Sequence, residues 1–62
     1  MDINEVQRLH KQYIQASNTA FTQEQNPQAE PDFVKYLWRM AAEARQHYED
    51  ARELYFAQAQ SK

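Results

Sequence analysis

The chain has 62 residues, of which 42% are hydrophobic and 26% charged, and its formal net charge is −2 at pH 7. It contains no cysteine, which excludes disulfides and thiolate metal sites, and no glycine, which excludes glycine-built phosphate loops and dinucleotide fingerprints. A chain of this length forms a single domain, here residues 1–62, whose core is marginal without a metal, a disulfide or a partner.

The first predicted helix begins behind Asp2 and runs from about residue 3 to about residue 23. Asp2 with Glu5 has the form of a capping box, in which side-chain oxygens bind the early backbone N–H groups. At about 100° per residue, most of the apolar side chains fall in one sector with a few small or polar ones. This sector contains Ile3, Val6, Leu9, His10, Tyr13, Ile14, Ala16, Ser17, Ala20 and Phe21.

Prolines interrupt the helical pattern in a linker from about residue 25 to about residue 31. Pro27 and Pro31 each disfavour the helical conformation of the preceding residue. Pro31 also suits the first position of a helix, and a second helix is predicted from about residue 32 to about residue 59. So short a linker favours an antiparallel hairpin, in which facing residues have numbers that sum to about 57.

The second helix carries apolar residues at alternating spacings of four and three, which is typical of a packed helical seam. The members of this predicted seam are Phe33, Leu37, Met40, Ala44, His47, Ala51 and Leu54. A second row with seven-residue spacing widens the stripe and contains Val34, Ala41, Tyr48 and Tyr55. A stripe this wide needs more than one neighbouring helix. The sequence therefore predicts an all-α fold, an antiparallel two-helix hairpin that dimerises into a four-helix bundle.

One flank of the second helix carries the residues that we expect to contact a partner. Trp38 and Phe56 project at nearly the same angle, and Tyr55 and Phe56 lie past the predicted start of the first helix, without cover from the same chain. Arg45 and Arg52 flank the same strip, and aromatics beside arginines are typical interface anchors. The pattern predicts a homodimer that binds another protein through this flank, as a small non-enzymatic adaptor, inhibitor or regulator.

Two alternatives remain open at this point. A nucleic-acid-binding hairpin dimer would use Lys35, Arg39, Arg45 and Arg52 for phosphate contacts and Trp38 for stacking. The interpretation without a binding role is that the same residues form a solvent-exposed flank, with salt bridges between side chains on neighbouring turns. The other alternative is a structural subunit that folds only within a larger assembly.

His10 and His47 are the two histidines of the chain, and the predicted register brings them together on apolar faces. We expect them to form a hydrogen-bonded polar layer in the core that fixes the register. Glu43 and Asp50 lie near His47 on the second helix, but the first helix has no carboxylate at the matching level. The pattern therefore predicts neither a metal site nor a cofactor.

Catalysis and membrane insertion are both poorly supported by the sequence. Serine occurs only at Ser17 and Ser61, and neither is paired with a base, so no enzyme is predicted. The N-terminal stretch has neither a basic region nor a continuous apolar run, so neither a signal peptide nor a membrane span is predicted. A cytoplasmic location is the resulting expectation.

Overall fold

The computed structural model describes residues 2–60 as two α-helices, α1 (Ile3–Glu24) and α2 (Pro31–Gln60), joined by a short linker. The helices pack against each other in antiparallel orientation, and residues 2–60 contain no strand. The all-α helical hairpin is thus confirmed, and both helices begin and end within one residue of the predicted limits. With 22 and 30 residues, α1 and α2 are about 33 Å and about 45 Å long.

The start of α1 depends on Asp2, as predicted. Its backbone is extended (φ −87°, ψ 144°), and its side chain accepts a hydrogen bond from the Asn4 N–H at 3.1 Å. The second half of the predicted capping box does not form, because the Glu5 carboxylate pairs with Arg8 one turn further on. Asp2 alone therefore satisfies an early N–H group of the helix.

The linker turns the chain without glycine. At the end of α1 the Gln25 N–H donates to the Phe21 carbonyl at 3.2 Å. The side-chain oxygen of Asn26 accepts a hydrogen bond from the Gln28 N–H at 3.0 Å. The backbone carbonyl of Asn26 accepts one from the Ala29 N–H at 3.1 Å. No residue between 2 and 60 has a positive φ, so the turn needs no left-handed backbone.

The seam between the helices follows alternating spacings of three and four on both sides, the pattern of antiparallel knobs-into-holes packing. On α1 the buried and half-buried positions of the seam are Val6, Leu9, Tyr13, Ala16, Ala20 and Gln23. On α2 they are Val34, Leu37, Ala41, Ala44, Tyr48, Ala51 and Tyr55. The facing pairs, such as His10 with Tyr48, keep the predicted register to within about one residue.

The prediction was wrong about which row of α2 residues faces α1. Phe33, Met40 and Leu54 are 47%, 41% and 53% exposed, and His47 is also exposed. The row one residue later in the sequence occupies the seam instead. The physical reason is the Tyr48 ring, which packs against α1 and turns the helix so that its own row faces inward.

The hairpin buries little, because its interface is made mostly of small side chains. The buried residues within 2–60 are Val6, Ala20, Ala41 and Ala51, and no large side chain in that range is fully buried. The chain exposes 5045 Å², whereas a compact monomer of 7.4 kDa would expose about 4,200 Å². The excess of about 800 Å² equals one partner's share of a standard protein interface.

Enlarging a buried alanine should force the helices apart. Ala51 is 3% exposed, so we expect Ala51→Leu to lower the free energy of unfolding by about 1–3 kcal/mol through overpacking. The control is Ala57→Leu, the same change at an exposed position of the same helix, which should shift stability by no more than about 0.5 kcal/mol. Urea unfolding followed by far-UV circular dichroism measures both, and equal stability of the two variants would contradict the alanine-based seam.

Candidate functional site

The flank of α2 next to the seam carries a row of large and cationic side chains. Trp38, Arg45 and Arg52 follow each other at intervals of seven residues, and Phe56 comes four residues later. These spacings keep the four residues on one side of the helix. Trp38 and Phe56 are 38% and 49% exposed. The structure therefore places four of the five predicted contact residues on one continuous strip.

Helix α1 completes this surface on the same side of the hairpin. Ile3 lies across the seam from Phe56, and the two helices enclose a cleft of about 220 Å³ between them. The cleft is lined by Ile3, Val6, Gln7, His10, Tyr48, Arg52, Tyr55 and Phe56. We call the surface formed by Ile3, Trp38, Arg45, Arg52 and Phe56 the arginine face.

A second, smaller cleft lies further along the arginine face. Its volume is about 170 Å³, and Trp38 and Arg45 line it from α2 while Tyr13 and Ser17 line it from α1. The two clefts repeat the same arrangement, an arginine beside an aromatic ring above the seam. Arg45 and Arg52 are seven residues apart, a distance of about 10.5 Å along the helix.

Arg52 is held in place by aromatic rings. Its guanidinium carbon lies 5.7 Å from the centroid of the Phe56 ring, a cation–π geometry. The Phe56 ring in turn meets the Tyr55 ring edge to face, with centroids 5.7 Å apart and planes at 69°. This stack orients an exposed arginine and an exposed phenylalanine before any partner is bound.

Arg45 is oriented by an ion pair instead. Its Nε donates a hydrogen bond to the Glu49 carboxylate at 3.0 Å, and both side chains are exposed. The hydrogen bond and the charge of Glu49 raise the pKa of the Arg45 guanidinium above its ordinary value. Such exposed pairs add little to stability, so the main effect of Glu49 is to position Arg45 and to offset its charge.

The cations of α2 do not form one basic surface. Arg39 lies about 120° around the helix from Arg45. The four basic residues proposed for phosphate contacts form two pairs, Lys35 with Arg39 and Arg45 with Arg52, spread over about 140° of the helix. Beside Arg52, a shallow depression is lined by Glu49, Asp50 and Glu53. Carboxylates in this position repel phosphate, which weakens the nucleic-acid alternative.

The structure leaves exposed the two histidines that were predicted to share a buried layer. Both side chains are exposed, so the hairpin itself contains no buried histidine pair. His10 packs on the Tyr48 ring with centroids 4.7 Å apart, and Tyr13 stacks on the same ring with centroids 6.3 Å apart and planes at 15°. His47 belongs to the row that the rotation of α2 turns away from α1. Tyr48 thus occupies the place predicted for His47.

Tyr55 also lies differently from the prediction, which left it without cover from its own chain. It is half-buried, and it shares the larger cleft with Ile3 and Val6 of α1. The prediction also began α1 at residue 3, so the difference comes from the rotation of α2, which places Tyr55 in the row that faces α1.

Two further groups of apolar side chains, which were predicted to lie in packed faces, are exposed in the structure. On α1, Ile14 and Phe21 are 42% and 57% exposed and lie on the same side of the helix as Ile3. On α2, the residues displaced from the seam lie on the flank away from the arginine face. We call Phe33, Met40, His47 and Leu54 the outer row. The signal for both groups is a seven-residue spacing that runs beside the seam rather than in it.

Comparisons with known proteins give no assignment: no family model matches this chain, and no significant match was found among curated proteins or solved structures. Within residues 2–60, no group of three or more His, Asp or Glu side chains is placed to hold a metal ion. In the same part of the chain, neither helix is long and apolar enough to cross a membrane. The geometry of the exposed faces therefore carries the functional argument.

Tyr48 should matter more to stability than its partial exposure suggests, because two rings of α1 pack on it. We expect Tyr48→Ala to lower the free energy of unfolding by at least about 2 kcal/mol, since it removes both ring contacts and opens a cavity at the seam. Tyr48→Phe keeps the ring and should stay within about 0.5 kcal/mol of the parent. Thermal and urea unfolding measure the difference, and a Tyr48→Ala chain as stable as Tyr48→Phe would refute the proposed role.

Proposed function

We propose that this chain is a small non-enzymatic protein-binding hairpin, acting as an adaptor, inhibitor or regulator through its arginine face. The observation that carries the proposal is the preorganised Arg52–Phe56–Tyr55 stack beside an apolar cleft. Aromatic and arginine side chains dominate the binding energy of protein interfaces. Rings and guanidinium groups that are already ordered lose less conformational entropy when a partner binds.

The two clefts of the arginine face suit a helical partner. Their arginines are separated by about 10.5 Å along α2, which is also the rise between positions i and i+7 of a helix. A partner helix that lies along the face would place one apolar anchor in each cleft. Ile3 and Phe56 would border the first anchor, and Trp38 would border the second.

Self-association into a four-helix bundle is part of the same proposal. The hairpin exposes about 800 Å² more than a compact monomer of its mass, and many large apolar side chains lie outside the seam. These features also favour the alternative of a subunit that is stable only inside a larger assembly. A cytoplasmic site of action is proposed with the protein-binding function.

Partner binding should depend on Phe56 and not on Phe33. The two phenylalanines have nearly equal exposure, 49% and 47%, and lie on different flanks of α2, so Phe33→Ala is a matched control for Phe56→Ala. From a lysate of the source organism, the parent chain and Phe33→Ala should capture the same protein, and Phe56→Ala and Trp38→Ala should lose it. With the purified partner, each face variant should weaken binding at least about tenfold.

Two results would contradict this function. Equal capture by the parent, Phe56→Ala and Trp38→Ala would show that the arginine face is not the binding surface. Capture that disappears after nuclease treatment and falls steeply with salt would instead support the nucleic-acid alternative. Nuclease treatment and a salt series on the same resin distinguish these cases.

A further inference from the structure

We propose that the outer row of α2 packs against the outer row of a second copy of this chain, antiparallel and about a twofold axis. In this arrangement Phe33 lies opposite the partner's Leu54, and Met40 lies opposite the partner's His47. This dimer rests on the self-association proposed above, and the outer row gives it a contact surface and a register. The arginine face then stays on the outside of the bundle.

The position of the outer row around α2 is the first argument. Each of its residues precedes a seam residue by one: Phe33 precedes Val34, and Met40 precedes Ala41. The seam also contains Leu37, Ala44 and Ala51, so the outer row lies about 75° around the helix from the middle of the seam. In a four-helix bundle each helix has two neighbours separated by about a right angle. Helix α1 is one neighbour of α2, and the outer row is placed to face the second.

The spacing of the row gives the register. Phe33, Met40, His47 and Leu54 are separated by seven residues each, a repeat that stays on one partner helix along its length. A twofold antiparallel pair matches all four positions only when the facing residue numbers sum to 87. A shift by one heptad leaves a large apolar side chain unpaired at an end of each row.

Charges at the edge of the row favour the same register. Arg39 and Asp50 are eleven residues apart, close to three helical turns, so they lie on the same edge of α2. In the proposed register Arg39 comes within about two residues, or about 3 Å along the axis, of the partner's Asp50. The twofold axis makes this opposite-charge contact twice, and the two contacts offset the repulsion between Glu43 on the same edge and the partner's Glu43, which lies within one residue of it in this register.

The arginine face is a poor surface for the same twofold contact. Trp38, Arg45 and Arg52 also repeat every seven residues, and their full antiparallel pairing would place Arg45 opposite the partner's Arg45. Like charges in direct contact oppose association. The like charges of the arginine face lie within the row itself, whereas Glu43 lies at the edge of the outer row beside Arg39 and Asp50, so the outer row is the better surface for a second copy.

Charge exchange tests the surface. Light scattering over a concentration series should show a dimer for the parent chain. For Arg39→Asp and for Asp50→Arg, the dissociation constant of the dimer should be about three- to tenfold higher. The double variant Arg39→Asp/Asp50→Arg should regain the parent affinity. Arg52→Asp, the same change on the arginine face, should leave the dimer unchanged. A parent chain that stays monomeric, or a double variant weaker than both single variants, would overturn the proposal.

Cysteine cross-linking tests the register. The sequence has no native cysteine, so every disulfide that forms joins the introduced cysteines. An oxidised mixture of Phe33→Cys and Leu54→Cys chains should form the mixed disulfide dimer, and Phe33→Cys alone should not cross-link, because disulfides require close Cβ atoms. Cross-linking of Phe33→Cys with itself would indicate a parallel pair and overturn the inference. Cross-linking of Arg45→Cys with itself would assign the dimer to the arginine face and do the same.

These measurements separate the inference from the protein-binding function. Phe56→Ala should abolish partner capture and leave the dimer intact, whereas Met40→Asp should dissociate the dimer by placing a carboxylate in its apolar row. Loss of both properties in Phe56→Ala would show that one surface serves both contacts and would overturn the assignment of the outer row. Failure to capture any partner would contradict the binding function alone.

Discussion

The close approach of two helices along a seam of alanines is the constraint from which the other features follow. Ala20, Ala41 and Ala51 are buried at this seam, and their small side chains let the helices pack tightly. Alanine removes little apolar surface from water, so a tight seam of this kind gives little hydrophobic stabilisation. The large side chains within the seam are therefore only half-buried, and those beside it are exposed.

Each edge of the seam has its own chemistry. On one side, Arg45 and Arg52 stand among aromatic rings, and we propose that this surface binds a partner with matching apolar anchors, because its own cations oppose a twofold contact with itself. On the other side, the outer row lacks cations within it and carries Arg39 and Asp50 at its border. A hairpin with two such sides can contact a second copy and a different protein at the same time.

The sequence predicted the elements and the register, and it failed on the rotation of α2. Helix limits follow from local signals, namely the Asp2 cap and Pro31, and these act within a few residues. The rotation depends on which of two adjacent apolar rows faces α1, and hydrophobic periodicity fits both rows equally well. The choice is made by the Tyr48 ring between His10 and Tyr13, a contact between residues far apart in sequence. Partner identity is not encoded in periodicity at all.

The two arginines of the candidate face differ in what they can offer a partner. The Nε of Arg45 already donates to Glu49, so a carboxylate on the partner would compete with an intrachain acceptor. Arg52 contacts Phe56 through the face of the ring, and such a contact does not consume the N–H donors in the guanidinium plane. Arg52 therefore keeps more of its N–H donors available than Arg45, which borders the second cleft. The carboxylates of Glu49, Asp50 and Glu53 around Arg52 nevertheless disfavour an anionic group of a partner.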